Sequence, residues 1–331
     1  MPKIVVIGGG VIGAATACFL ARDHGLEPVV IERDPTYRRA SSALSASSIR
    51  QQFSTPINIA LSCRSLAFYR RAGDELAVGG ERPEIGLVEP GYLYLASQAG
   101  VSRLQQQHAL HRHLGVDVAL LDPAALAARF PWLSVRGVAL GSLGLSGEGW
   151  FDGWSVLQAF RRKAIACGAR FMHAEVRSLE PHGNRVTAVT CADGLSLPAD
   201  QVVLAAGAWS AGLLAPLGLD LPVRPRKRDV FVFDAPLHTL HAPLCIDPCG
   251  VWWRPEGAAA IAGHGRFITG APPRGDDGDE PPLEAIDHGL FDELIWPALA
   301  ARVPVFEALR LTGAWAGYYE MNTFDHNGLV G

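Results

Sequence analysis

Apolar positions near the start of the chain fall in runs of two periods. Residues 3–7 and 28–32 are short β-branched runs and predict buried strands. Between them, Val11–His24 places Ala14, Ala17, Leu20 and Ala21 at helical spacing and meets Gly25, a residue that stops helices well. Together these form a β-α-β unit completed in about 30 residues, the length such a unit needs.

Further on, helices are predicted over 56–71, 101–114 and 153–168. Another runs from Asp122, an N-cap followed by Pro123, to Phe130. Strands are predicted over 91–96, 171–180, 185–190, 201–206, 229–233 and 250–254. Residues 41–54 are small and polar and predict a loop or a helix start. Residues 147–152 read as a loop, 222–228 as a linker or strand edge, and 275–282 as an exposed acidic loop. A helical region over 283–302 is interrupted by Pro297.

The glycines between the first strand and helix carry the first chemistry. Gly8-Gly9-Gly10-Val11-Ile12-Gly13 is a G-x-G-x-x-G that follows a strand and opens a helix. Gly8 permits the tight turn, Gly10 admits a pyrophosphate without a Cβ clash, and Gly13 lets helix and strand pack closely. Free N–H groups of the helix start, Val11 and Ile12 among them, face such an anion. Glu32 ends the second strand about 20 residues on, where a carboxylate takes ribose hydroxyls. A Rossmann-like dinucleotide site is the expectation. The Ser-rich stretch after it suits either a loop lying against phosphates or a ring system, or a solvated loop.

Composition narrows the class. In 331 residues, 49% are apolar, enough for a sizeable core and two domains. The net charge of −4 gives no basic excess for a nucleic-acid partner. Six irregularly spaced cysteines read as reduced thiols, and Cys245 with Cys249 lacks the second pair a metal site needs. Glycines break the apolar N-terminus, so no signal peptide is expected. No run approaches the about 20 apolar residues of a membrane span. A cytoplasmic protein without a transmembrane segment is expected.

Several strings, in order, resemble the D-amino acid oxidase/sarcosine oxidase/glycine oxidase family of flavoproteins. They are Arg39-Ala-Ser-Ser42, Ser47-Ser-Ile-Arg-Gln-Gln-Phe-Ser54, Gly147-Glu-Gly-Trp-Phe-Asp152, Val202-Val-Leu-Ala-Ala-Gly-Ala-Trp-Ser210 and Trp252-Trp-Arg-Pro-Glu-Gly257. Gly317-Tyr-Tyr-Glu-Met-Asn-Thr-Phe-Asp-His-Asn327 is similar to a mitochondrial branch linked to respiratory complex I assembly and to its bacterial relatives. The resemblance implies an α/β fold with a Rossmann-like FAD-binding domain, over 1–88, 145–222 and 325–331. A mixed-sheet α+β substrate domain would take 89–144 and 223–324.

It implies that Gly8, Gly10 and Gly13 meet the pyrophosphate and that Glu32, with Arg33 beside it, takes the adenosine ribose. Ser41 and Ser42 would reach the phosphates or ring, Val176 the adenine through its backbone, and Ala206, Gly207 and Trp209 would pack near the cofactor. Arg50 would point at the flavin ring or a substrate carboxylate. Tyr318 stands where some members attach flavin through cysteine, so FAD should be non-covalent. Ile261 falls where a lysine assists reaction with oxygen, which points to a dehydrogenase that passes electrons to a protein or quinone acceptor. Relatives continue past the Asp325-His-Asn327 strand into a Gly-rich segment and a last helix that close over the ring, whereas this sequence stops at Gly331, in what reads as mid-strand.

The expected activity is oxidation of a C–N bond in a small amine or amino acid, with hydride transfer to flavin. Its alternatives are an FAD-binding assembly or accessory flavoprotein without turnover, and a 2-hydroxy acid dehydrogenase. Arg50 or Arg254 would hold a carboxylate, since an arginine beside aromatics can do so bidentately. Tyr318 and Tyr319 read as pocket-lining or plain core aromatics, with Tyr319 the catalytic candidate. His264 and His326 are weaker candidates. The basic cluster Arg224, Arg226, Lys227 and Arg228 reads as a solvated edge or a dock for an acidic electron acceptor.

Overall fold

The computed structural model describes the chain except residues 238–241, 258–264 and 276–277. Its first sheet is parallel and four-stranded. Strand β1 (Ile4–Ile7) lies between Gln201–Leu204 and β2 (Val29–Glu32), and Arg170–His173 flanks β2. All four residues of β1 are buried, as an unbroken β-branched run requires. Helix α1 (Val11–His24) ends at Gly25, whose left-handed φ of 62° returns its N–H to Ala21 O.

The small residues Ala14, Ala17, Cys18 and Ala21 of α1 pack on Val156, Leu157, Phe160 and Ala164 of helix Gly153–Ala166. Small against large lets the two helices approach closely, and burying Leu157 contributes about 2 kcal/mol. A three-stranded antiparallel sheet, Val176–His182, Arg185–Cys191 and Ser196–Pro198, shares an apolar cluster with Val5, Ile7 and Ile31.

The second large sheet has eight strands, in the order Arg310–Asn322, Val223–Asp234, Arg266–Gly270, Trp252–Pro255, Leu244–Ile246, Tyr92–Ala96, Leu140–Gly144, Val118–Leu121. Leu244–Ile246 and Tyr92–Ala96 run parallel, and the other neighbours antiparallel. Phe233, Trp253 and Phe267 meet Phe306 at ring separations of 5.0–5.1 Å, and Leu290, Ile295 and Leu299 join the same core. A parallel Rossmann-like unit beside a mixed sheet is the expected fold class.

Several elements differ from expectation. The strand predicted over 171–180 is two, Arg170–His173 in the parallel sheet and Val176–His182 in the three-stranded one. Of the two readings of 222–228, the edge holds and the linker does not: residues 223–228 belong to the twelve-residue strand Val223–Asp234, which pairs along its length with Arg310–Asn322 and on its other side only from Phe231 on. Within 147–152, Gly149–Trp150 pairs with Ser48–Ile49. The last strand ends at Asn322, whose side chain bonds Asp325 Oδ1, Asn327 O and the Phe324 N–H, and so turns the backbone out of the ladder. Pro297 sits in the first turn of Trp296–Arg302, directly after a π turn over Phe291–Ile295. The helical path survives there because the proline stands where a missing N–H costs little.

Candidate functional site

The glycine turn sits at the C-terminal edge of the parallel sheet. Gly8 has φ +96°, and a Cβ there would lie 2.4 Å from Ala205 O; one at Gly13 would lie 1.9 Å from Gly8 O. These two glycines are therefore fixed by backbone packing. Gly10 differs: the position of its missing Cβ meets Ser42 Oγ at 3.5 Å and otherwise faces open space. Gly10 also starts α1 without a side-chain cap, and the exposed Ile12 and the N–H of Val11 stand at the opening, the latter 3.3 Å from Ser42 Oγ. Unpaired donors and the helix dipole make this end attractive to an anion.

Glu32 leans into the same turn. Its Oε2 accepts from Gly9 N at 2.7 Å and its Oε1 from Asp34 N at 2.8 Å, and a carboxylate retains lone pairs beyond these two bonds. Ser41 and Ser42 open the short helix Ser41–Leu44. Ser42 reaches α1, whereas Ser41 Oγ is buried with no hydrogen-bond partner. An orphaned buried hydroxyl next to an open helix start is costly unless a further group completes it. Val176 is buried in the cluster that also holds Ile7 and Ile31, beside the ends of β1 and β2.

The next group lies past Ala206. The Ala205–Ala206 backbone crosses directly over Gly8, and Gly207 turns at φ +56° with Glu320 behind it. Trp209 follows, its ring 3.8 Å from the Arg33 guanidinium carbon. The residue after the ribose-binding candidate and the tryptophan of a distant strand-turn thus form one stack. Tyr318 meets Trp209 edge-on at 5.7 Å. Its hydroxyl donates to Pro281 O at 2.8 Å and accepts from Arg39 Nη2 at 3.0 Å. Glu280 joins this group through Trp209 Nε1 at 2.8 Å.

On another side of helix Ser41–Leu44 lies a region of aromatics and arginines. Tyr92 and Tyr94, two apart on one strand, face the same way with rings 6.1 Å apart, and Tyr92 packs with Trp150 and Leu244. Arg50 donates from Nη1 to Tyr94 OH at 2.5 Å, and its guanidinium carbon lies 4.4 Å from the Phe53 ring. Burial works against the Arg50 charge, but the Tyr94 oxygen accepts from the guanidinium and supports it, and the group lies above the ordinary arginine value. Burial pushes Tyr94 above the usual phenol value, so it stays protonated at neutral pH.

Arg254 is 3% exposed and heavily engaged. It donates to Ala46 O at 2.7 Å and to Pro255 O at 2.9 Å, pairs with Glu256, and lies over the Trp150 ring at 4.9 Å. Burial pulls its pKa below the ordinary value. Arg50 and Arg254, some 200 residues apart in sequence, thus approach one aromatic group from two sides. Tyr319 does not join them through Tyr318: strand alternation turns it to the opposite face, where it is 51% exposed with Arg228 over its ring.

Residues that sequence reasoning overlooked complete the region. Glu148 is fully buried and accepts from the N–H groups of Gln51 and Gln52 and from Gln52 Nε2. Its signal was an acid between two glycines, Gly147 and Gly149. Tyr92 and Tyr94 could have been found from their i, i+2 spacing on a strand. The basic cluster is not a free patch: Arg224 and Arg226 pair with Asp279, and Lys227 with Asp229 and Ala285 O. His326 takes φ +60° in the turn after Asn322. Ile261, His264, Asp276 and Asp277 lie outside the described residues. Among the described residues no cluster of acids, histidines and cysteines could hold a metal, and no helix is long and apolar enough to cross a membrane.

Comparison with known proteins matches residues 3–331 to the family "DAO: FAD dependent oxidoreductase". The chain belongs to this family. It is 40% identical over 363 residues to FAD-dependent oxidoreductase domain-containing protein 1 of Xenopus laevis, covering 99% of this chain and 72% of that protein. Among solved structures it is similar to L-proline dehydrogenase from P. horikoshii, with a TM-score of 0.85 at 24% identity, covering 100% of this chain and 84% of the other. Glycine oxidase from Geobacillus kaustophilus gives a TM-score of 0.82 at 25% identity, over 100% and 85%.

The cofactor of the family is FAD, and the local chemistry fits it. The open Gly10 face and the uncapped start of α1 suit a pyrophosphate, the orphaned Ser41 hydroxyl suits an acceptor oxygen, and the spare lone pairs of Glu32 suit a diol.

Proposed function

We propose that this FAD-dependent oxidoreductase oxidises the C–N bond of a small amino acid. The observation that carries the reading is Arg50: a guanidinium set against Tyr94 and Phe53, with Tyr92 close by. Of the two arginine candidates, Arg254 has its Nη groups committed to Ala46, Pro255 and Glu256, which assigns the substrate carboxylate to Arg50.

In this reading Gly8, Gly10 and Gly13 shape the pyrophosphate cradle, and Val11 and Ile12 supply N–H groups. Ser41 and Ser42 donate to phosphate oxygens, Glu32 accepts from the ribose with Arg33 beside it, and Val176 offers backbone to the adenine. Ala206, Gly207 and Trp209 form the wall behind. Bound FAD would supply the hydride acceptor for the carbon α to the substrate nitrogen, whose lone pair would form the C=N bond as the hydride leaves. Arg50 orients that carbon by holding the carboxylate, Tyr94 fixes the guanidinium, and Tyr92 and Trp150 keep water away. Arg254, through Ala46 O, steadies the segment that follows helix Ser41–Leu44. Tyr319 has no place in this constellation and is assigned no step.

Non-covalent FAD follows from the phenol at 318, and the residence of the chain is proposed to be cytoplasmic. Acid precipitation of the purified chain tests the linkage: flavin is expected in the supernatant, and colour kept in the pellet contradicts it. An anaerobic screen of amines, amino acids and 2-hydroxy acids then tests the activity. Bleaching of the flavin band by an amino acid is expected, and bleaching by 2-hydroxy acids alone would replace the reading with hydroxy-acid oxidation.

A further inference from the structure

Glu148 is a fully buried acid that the proposed chemistry does not use. One oxygen, Oε1, accepts from two consecutive backbone N–H groups, Gln51 at 2.6 Å and Gln52 at 2.9 Å. The other, Oε2, accepts from Gln52 Nε2 at 2.8 Å. Gln52 is held in turn: its Oε1 accepts from Ser142 Oγ at 2.6 Å, and its Nε2 also reaches Tyr92 O at 3.3 Å.

Glycines make the room. A Cβ on Gly144 would lie 1.9 Å from Glu148 Oε2, and one on Gly147 would lie 2.7 Å from Gln51 Nε2. Burying a carboxylate is expensive, and an apolar side chain of similar volume would commonly serve stability as well. What an apolar side chain cannot do is fix two successive peptide N–H groups on one point. The residue those groups follow is Arg50, whose own carbonyl accepts from Ser62 Oγ. The peptide group that follows Arg50 is therefore held at both its C=O and its N–H, and the guanidinium is held by Tyr94 and Phe53.

We propose that Glu148 is a positioning residue: by fixing the N–H groups of Gln51 and Gln52 it presents a preorganised Arg50 guanidinium to the carboxylate of the substrate. This rests on the assignment of that carboxylate to Arg50. A guanidinium locked before binding loses less freedom when the anion arrives, so the effect falls on affinity more than on the chemical step.

The test uses the FAD-loaded chain and acetate as the probe, read as a shift of the flavin absorbance band. Acetate is expected to shift the band in the unaltered protein and not in Arg50→Met. Glu148→Gln is expected to keep its flavin and to bind acetate about tenfold more weakly. With any amino acid that reduces the unaltered protein, it should raise KM and leave kcat nearly unchanged. Ser142→Ala, which removes the support behind Gln52 without touching Glu148, should weaken acetate in the same direction by a few-fold.

If Arg50→Met binds acetate like the unaltered protein, the carboxylate assignment fails and takes the proposal with it. Where Arg50→Met loses acetate but Glu148→Gln binds it normally, Glu148 only packs the core. Should Glu148→Gln fail to fold, normal acetate binding by Ser142→Ala overturns the proposal.

Discussion

Around the glycine turn, contacts are shorter in sequence and start from backbone N–H groups: Gly9 N reaches the Glu32 carboxylate across 23 residues and Val11 N reaches Ser42 Oγ across 31. Around Arg50 they are longer and each engages a buried charged side chain: Arg50 to Tyr94 across 44 residues, Gln51 N to the Glu148 carboxylate across 97, Arg254 to Ala46 O across 208. The first region holds its shape because glycines exclude every alternative; the second holds it because charged groups are buried and paired. The cradle tolerates no added atom at Gly8 or Gly13, whereas a side-chain constellation tolerates substitution and changes its selectivity.

The sharpest way to break the comparison is Gly13→Ala. Its new methyl must displace Gly8 O, so stability should fall by about 1–3 kcal/mol and flavin uptake should vanish. Urea unfolding and the visible flavin band check this together, and retained flavin would mean the turn can shift without losing its function. Arg50→Met should do the opposite. Flavin stays, while kcat/KM for a carboxylate-bearing substrate falls about 100-fold, the size of a lost charge-assisted bond.

The third effect is a dependence on pH. Burial raises the Glu148 pKa above its ordinary value of 4.5, against the Gln52 and Gln51 donors and Arg50, which favour the charge. The folded chain therefore holds this proton more tightly than the unfolded one. The corresponding stability is complete below the ordinary value and is lost as pH rises through the raised one. Urea midpoints measured from pH 4 upward (about that range, set by the carboxylate reference) should decline more in the unaltered protein than in Glu148→Gln. Equal slopes would show that the three donors cancel the burial.

The smallest effect sharpens the cradle itself. Ser41→Ala removes a buried hydroxyl that lacks a partner, so the flavin-free chain should gain a little stability while FAD binding weakens about fivefold. Thermal melts with and without FAD should move in opposite directions.

Much of the parallel unit was legible in the sequence, because β1, α1 and β2 are close in the chain and each position obeys a local rule. The mixed sheet was legible only in part: the strands expected over 91–96, 229–233 and 250–254 are there, and others went unread. Val118–Leu121, Leu140–Gly144 and Leu244–Ile246 are three to five residues long and lack the unbroken β-branched run that marks the equally short β1 and β2. Residues 223–228 are charged and proline-bearing, yet they form strand because Arg310–Asn322 supplies a partner and the acidic loop at Asp279 supplies counter-charge. Arg254 read as a carboxylate clamp because its two tryptophan neighbours were visible and its partner Ala46 O was not. Glu148 escaped notice for the same reason: nothing near it in sequence reveals that Gln51 and Gln52 are its ligands.

The central claim joins FAD, a C–N bond and a carboxylate held by Arg50. It is tested most directly by adding matched pairs of compounds, an amino acid and the amine that lacks only its carboxylate, to the FAD-loaded chain without oxygen. The account predicts that the flavin band bleaches with at least one amino acid and far more slowly with the paired amine, and that Arg50→Met removes the difference. Equal bleaching by both members of every pair, or bleaching by 2-hydroxy acids alone, would contradict it.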